Sequence, residues 1–198
     1  MRPDVSARLK LTYDDFLLFP DDGKRHELID GEHYVTPSPN TRHQVILGRL
    51  YLDVANWLEQ HPIGHLFLAP YDVVFSRFDV VEPDLVYVSN EQAGAIVTPL
   101  HVEGSPDLVV EIGSPGTRRR DESIKRKLYE RAGVLEYWFV DPDKDLVRVY
   151  RFASREVRGV LQLSAQADDS LTTLLIPGLQ ISLRRLFRPL VTAVLNEG

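Results

Sequence analysis

The sequence predicts an α+β fold, a mixed central β-sheet flanked by helices, and three observations carry that reading. Residues 41–61 set Val45, Ile46, Leu50, Val54 and Leu58 on one helical face. Two runs dominated by Val, Leu, Ile and Tyr, residues 83–88 and 107–112, have the composition of largely buried strands. Residues 136–164 divide into three β-rich segments separated by turn residues, the pattern of an antiparallel meander.

The elements follow in order. Residues 12–19 read as a helix, with Thr12 as N-cap and acids in the first turn. Residues 20–24 form a turn, and residues 27–35 a hairpin around Asp30-Gly31, a pair suited to positive φ. Pro37-Ser38-Pro39-Asn40 breaks the chain before the long helix, which ends ahead of Pro62. Strands are expected at 64–77, 83–88 and 107–112, with a loop at 90–104 that has room for a helical turn. A basic helix follows the Ser114-Pro115-Gly116-Thr117 turn and ends at Gly133, a natural C-cap. The meander strands lie at 136–140, 146–152 and 157–164, turning at 142–144 and Ser154-Arg155. A short strand pair at 171–183 and a helical piece starting at Leu186 close the chain.

With 198 residues, 43% hydrophobic and 26% charged, the expectation is a single domain, residues 1–198, around one core. No apolar run approaches the ~20 residues that span a bilayer. The first six residues lack an apolar signal core, so no membrane partner and a cytoplasmic setting are expected. The absence of cysteine removes disulfides, thiolate metal sites and cysteine nucleophiles. Any metal must take oxygen or imidazole ligands. The net charge of −6 argues against a nonspecific polyanion coat. Positive charge is clustered instead, at Arg118, Arg119, Arg120, Arg126 and Lys127, and again at Arg184, Arg185 and Arg188. The second group reads as a solvated surface, whereas the first directly follows Glu111, where a phosphate backbone would need neutralising.

The chemistry concentrates at two acidic strand ends. Asp84 sits in Val81-Glu82-Pro83-Asp84-Leu85-Val86, and Glu111 near the end of Asp107-Leu108-Val109-Val110-Glu111-Ile112. A carboxylate in such a run must be paired, protonated or bound to a cation, because desolvating it alone costs several kcal/mol. A structural ion pair is the ordinary outcome. The order Glu, Asp, Glu, Lys along the chain also suits a hard cation held by oxygens beside a lysine.

These residues, with Tyr13-Asp14-Asp15-Phe16, His26-Glu27-Leu28-Ile29-Asp30-Gly31-Glu32, Pro37-Ser38-Pro39, His43, Pro83-Asp84-Leu85-Val86, Glu111-Ile112-Gly113-Ser114-Pro115, Lys125, Tyr129 and Tyr137-Trp138-Phe139-Val140-Asp141, resemble the Uma-type restriction endonucleases of the PD-(D/E)XK superfamily. The resemblance covers roughly residues 11–188. It implies a restriction-endonuclease-like core and Mg²⁺- or Mn²⁺-dependent hydrolysis of phosphodiester bonds in nucleic acid, DNA foremost, by a homodimer. It also implies roles for Glu27, Asp84, Glu111 and Lys125, with Asp84 and Glu111 holding the metal. One departure matters. The plain signature has a lysine two residues after the second acid, and Gly113 stands there. The resemblance assigns its role to Lys125 on the following helix, where Asp121, Lys125 and Tyr129 share a face at i, i+4 and i+8. Lys127 lies about 200° round from Lys125. Ile124, Leu128 and Ala132 form a neighbouring apolar stripe expected to pack on the sheet.

Other residues carry two readings each. Glu27 matches the family's first acid and equally suits a hairpin salt bridge with Arg25 or Lys24. His43 could touch phosphate or water, though a capping or surface histidine is commoner. Arg118, Arg119, Arg120 and Lys127 join His43 as candidate nucleic-acid contacts. Tyr150 and Phe152 suit either a dimer surface or the core, and Tyr137 and Trp138 the core. No P-loop, dinucleotide fingerprint, zincin motif or nucleophile elbow occurs. Two functions remain: a metal-dependent endonuclease, or a catalytically weak nucleic-acid-binding or assembly module that keeps the fold.

Overall fold

Strand alternation and a switch of the chain between two sheets account for the architecture. The computed structural model describes residues 9–114, 116–153 and 155–190. The extreme N-terminus, Pro115, Ser154 and the tail beyond 190, on which some of the sequence-based expectations fall, lie outside them. In chain order, α1 (Tyr13–Phe16) precedes a hairpin of β1 (Arg25–Ile29) and β2 (Glu32–Thr36), then α2 (Thr41–Gln60). Next come β3 (Gly64–Leu68), β4 (Val73–Ser76), β5 (Asp79–Val81), β6 (Leu85–Ser89), α3 (Asn90–Ile96), β7 (Val102–Glu103) and β8 (Leu108–Ile112). The basic helix begins as α4 (Arg118–Arg120), passes through a π-helical turn (Asp121–Lys125) and continues as α5 (Arg126–Ala132). The meander is β9 (Glu136–Asp141), β10 (Leu146–Ala153) and β11 (Glu156–Ser164), and β12 (Ser170–Leu171), β13 (Ile181–Ser182) and α6 (Leu183–Leu186) complete the described chain.

The α+β class holds, and the strands divide between two main sheets. One has six strands in the order β11-β10-β9-β8-β6-β3, and the other five, β2-β1-β5-β4-β7. The expected single strand at 64–77 is cut in two at Ala69-Pro70-Tyr71-Asp72, because proline has no N–H for a ladder. Its halves serve different sheets. The 90–104 loop contains α3 and β7, and the last helical turn begins at Leu183 and ends at Leu186, three residues earlier than expected. Helix α1 stops at Phe16, its start fixed by a reciprocal capping box between Thr12 and Asp15. The hairpin turn is as expected, with Asp30 at φ 53° and Gly31 at φ 74°.

Alternation assigns a face to every residue of the six-stranded sheet. Leu85, Tyr87, Leu108, Val110, Ile112, Trp138 and Val140 pack against the α2 stripe of Ile46, Leu50, Val54 and Leu58. Each such buried aliphatic side chain contributes roughly 1.5–3 kcal/mol as an upper bound. Val86, Val88, Val109, Tyr137 and Phe139 face the other way, onto Leu128 and Tyr129 of α5 and Ile29, Val73, Val81 and Val102 of the five-stranded sheet and its edge. Asp84 and Glu111 fall on this second face by parity. Phe152 belongs to that core at 6% exposure.

One local expectation fails. Ile124 is 37% exposed, while Asp121, Lys125, Leu128 and Tyr129 are buried. The π-helical turn accommodates an extra residue, so the helix presents Lys125 rather than Ile124 to the sheet.

Candidate active site

Four segments bring their charged side chains to the end of the second face. Strand β1 contributes Arg25 and Glu27, two apart and therefore on one side of the strand. Asp84 stands just before β6 and Glu111 near the end of β8, antiparallel neighbours whose register pairs Leu85 with Val110. The π-helical turn supplies Asp121 and Lys125. Helix α2 adds His43, fixed at the helix start because Asn40 Oδ1 accepts the His43 N–H at 2.9 Å. Glu27, Asp84, Glu111, Asp121 and Lys125 are all at most 4% exposed.

Lys125 is the hub of the cluster. Its Nζ lies 2.6 Å from Glu27 Oε1, 2.8 Å from Glu111 Oε1 and 4.0 Å from Asp121 Oδ1. The Tyr129 hydroxyl also donates to Glu111 Oε1. Glu27 is held further by the Glu82 N–H at 3.2 Å, Thr36 Oγ1 at 3.3 Å and Arg120 Nη2 at 3.3 Å. Asp84 accepts from Arg25 Nη1 at 2.9 Å through Oδ1 and from the Ile112 N–H at 2.8 Å through Oδ2. His43 Nε2 stands 3.2 Å from Asp84 Oδ1, but off hydrogen-bonding alignment. Both ring nitrogens are buried without a hydrogen-bond partner among the described residues. We take the contact as electrostatic proximity rather than a formed bond.

Burial and charge divide the acids. Burial works to raise Glu27 and Asp84, yet both are held below the usual carboxylate range, Glu27 by Lys125 and Arg120, and Asp84 by His43, Arg25 and the Ile112 N–H. Glu111 goes the other way. Burial, with Asp121, Asp84 and Glu27 nearby, pushes it up to about 8 despite Lys125. Burial would lower Lys125, but Glu111, Glu27 and Asp121 hold it firmly protonated. Acids therefore outnumber the internal cations Lys125, Arg25 and Arg120, a surplus that the site relieves near neutral pH by keeping a proton on Glu111.

That surplus bears on whether a divalent cation fits. Asp84 and Glu111 are side by side on adjacent strands, the hydrogen bonds from Lys125 and Tyr129 both fall on Glu111 Oε1, and the Asp121 Oδ1 atom is buried without a hydrogen bond among the described residues. Against this, no group of three or more acids or histidines among the described residues is arranged to hold a metal. Magnesium needs only one or two carboxylates, taking its other ligands from water and phosphate. The residues fit a two-carboxylate site of that kind. Arg25 presently occupies the Asp84 oxygen nearest His43.

Two cavities meet here. One, of about 10 Å³, lies among Asp84, Glu111, Asp121 and Lys125 and has room for about one water. The other, of about 450 Å³, lies beside the cluster and shares Arg25, His43 and Asp84 with it. The small cavity contains the carboxylate cluster, and the large one opens beside it.

The remaining candidates separate. Arg118 bridges Asp141 at 2.5 Å and Asp143 at 2.8 Å, tying α4 to the end of β9. Arg120 turns inward to Glu27 and Thr36. Arg119 and Lys127 are exposed. The hairpin pair offered for Glu27 is replaced: Arg25 pairs with Asp84, and Glu27 with Lys125. Sequence reasoning missed the site place of Arg25, although its spacing of two from Glu27 was the available signal. It also missed Glu82, whose Oε2 is buried without a partner. Burial, with Asp72 and Glu27 close by, pushes Glu82 up to about 7.

A family model described as "Uma2: Putative restriction endonuclease" matches residues 13–184. No curated protein matches the chain. Among solved structures it is similar to a crystal structure described as "a putative nuclease belonging to DUF820", from Anabaena variabilis, with a TM-score of 0.75. The two are 21% identical over 89% of this chain and 97% of the other, so the likeness is one of fold.

Proposed function

The chain belongs to the Uma2 family, and from that premise we propose that it is a Mg²⁺- or Mn²⁺-dependent endonuclease hydrolysing phosphodiester bonds in DNA. The observation that carries the reading is the convergence of Glu27, Asp84, Glu111 and Lys125, drawn from two strands, a strand entry and a helix, into one buried cluster. Such an arrangement costs desolvation energy, and ion pairs this deep are weak devices for stability. A catalytic demand explains it better.

Asp84 and Glu111 would hold the cation, which when bound supplies an activated water and neutralises charge developing on phosphorus. Lys125 is firmly protonated, so its task is to donate: it orients the attacking water and stabilises the charged phosphate oxygens. Glu27 positions the Lys125 ammonium through the 2.6 Å contact, and Tyr129 fixes the rotamer of Glu111. Arg119 and Lys127, both exposed, would meet flanking phosphates, and His43 and Arg120 face the interior of the site. Arg118, engaged by Asp141 and Asp143, holds the helix that carries Lys125. A homodimer would pair two such sites. Its candidate surface is the free edge of β11, where Val160 is 55% and Leu161 42% exposed.

A second reading, a nucleic-acid-binding module without efficient catalysis, draws on the pairing already present at Asp84 and Lys125. Incubation of the purified protein with supercoiled plasmid, with and without Mg²⁺ or Mn²⁺, separates the two. Metal-dependent nicking that is lost in Asp84→Ala supports the enzyme. Retarded migration without nicking supports the module.

A further inference from the structure

We infer that the cavity beside the carboxylate cluster seats one unpaired nucleotide of a polynucleotide strand, so that the site acts on single-stranded or frayed segments rather than on continuous duplex. The inference rests on the nuclease reading and names its substrate class. Burial supplies the first argument. Glu27, Asp84, Glu111 and Lys125 are 1–4% exposed, and their own cavity holds about 10 Å³. A duplex is stiff over ~50 nm and carries its phosphates on its outer surface. Lying against this face, it could not bring a phosphate down to these groups.

The approach cavity supplies the second argument. Its volume is about 450 Å³, within the ~300–1,000 Å³ usual for small-molecule pockets. Its walls include the rigid, apolar Pro37, Pro39, Leu47 and Pro70, suited to the flat face of a base. Ser38 and Gln44 also line it, and offer donors and acceptors to a base edge. Lys24 and Arg25 lie along it too, but Asp21, Glu82 and Asp84 more than offset their charge. That balance disfavours a polyphosphate and leaves the apolar walls to seat a base.

His43 links the two cavities. It is 3% exposed, lines both, and neither ring nitrogen has a hydrogen-bond partner among the described residues. Nε2 has Asp84 Oδ1 3.2 Å away, so Nδ1 is the ring atom left over, and a buried nitrogen without a partner is costly unless a ligand completes it. A sugar oxygen or phosphate oxygen of a strand threaded from the large cavity to the small one would do so.

The test is fluorescence anisotropy in Ca²⁺ with a labelled 12-nucleotide DNA strand, its blunt duplex and the matched RNA strand. The expected result is binding of one of the strands at least 10-fold tighter than the duplex. The DNA and RNA arms identify which sugar backbone the cavity accepts. Gln44→Glu places a negative charge at the exposed rim, and Leu47→Trp fills the cavity from α2. Each should weaken strand binding about 10-fold, and Gln44→Glu should leave the melting temperature unchanged. Duplex binding as tight as either strand, or strand binding unaffected by Gln44→Glu, overturns the inference while leaving the nuclease reading intact. Absence of binding to all three probes overturns both.

Discussion

Replacing Lys125 by Met removes the ammonium while keeping most of the side-chain volume, and the local geometry sets the consequences. Glu27 loses its 2.6 Å partner, Glu111 its 2.8 Å partner, and Asp121 a charge 4.0 Å away. All three acids are buried, so water cannot replace the lost cation. Breaking a buried pair by deleting one member costs about 3–5 kcal/mol, and a domain of this size loses about 2–4 °C per kcal/mol. Metal-free Lys125→Met should therefore melt roughly 6–20 °C below the parent at pH 8. The sign of the pH dependence is set by the acids. Glu111 titrates at about 8 when folded against an ordinary 4.5, so its protonated form favours the fold. That contribution is complete below about 4.5 and is lost as pH rises through 8. Without Lys125 the acids rise further, and the deficit should narrow as pH falls from 8 towards 5 and they take up protons. Calorimetric melts across that range, with and without Mn²⁺, measure it, and Mn²⁺ should restore more stability to the variant than to the parent. Plasmid cleavage should fall about 10²-fold or more even where Mn²⁺ restores the melt. A variant melting within 1–2 °C of the parent at pH 8, an effect of about 1 kcal/mol or less, would refute the reasoning that Lys125 holds the acids together.

Lys127→Ala should leave cleavage nearly intact and reduce the salt dependence of DNA binding by about one phosphate contact, seen in anisotropy titrations at several salt concentrations. Equal loss of cleavage in the Lys127 and Lys125 variants would reduce the basic helix to a phosphate clamp. Gly113→Lys, which restores a lysine two residues after Glu111, should destabilise rather than rescue Lys125→Met, because a Cβ there meets Phe139 at 2.7 Å; thermal melts and plasmid assays on the double variant decide. Mn²⁺ should raise the parent melting temperature and release protons near pH 7.5 as Glu111 ionises, and calorimetry in buffers of different ionisation enthalpy should show both effects diminished in Asp84→Ala. Light scattering at micromolar concentration should give a dimer mass that Leu161→Lys reduces to a monomer; a monomeric parent refutes the β11 interface.

The sequence by itself determined the elements whose causes are local. The α2 stripe, the Asp30-Gly31 hairpin, the β8 run and the meander each arise from periodicity or turn chemistry acting over a few residues. Strand parity placed Asp84 and Glu111 in comparable positions, and the Asp121, Lys125, Tyr129 spacing put those three residues on one helix face. Tertiary structure decided the features that depend on which surfaces meet. Nothing local assigns β3 and β4 to different sheets: β4 turns straight back onto β5, whereas β3 reaches past both to pair with β6, and β7, the other neighbour of β4, lies further still along the chain. Partner choice inside the site is likewise set by distance in space: Arg25 is drawn to Asp84, 59 residues on, because Lys125 already neutralises Glu27. The burial of His43 comes from Asn40 capping α2 just where that helix end meets the Asp84 strand entry. The π-helical turn, which swings Lys125 inward and Ile124 outward, is a product of packing as well. Its cost is repaid by contacts to Glu27 and Glu111, 98 and 14 residues away, which no window on the helix contains.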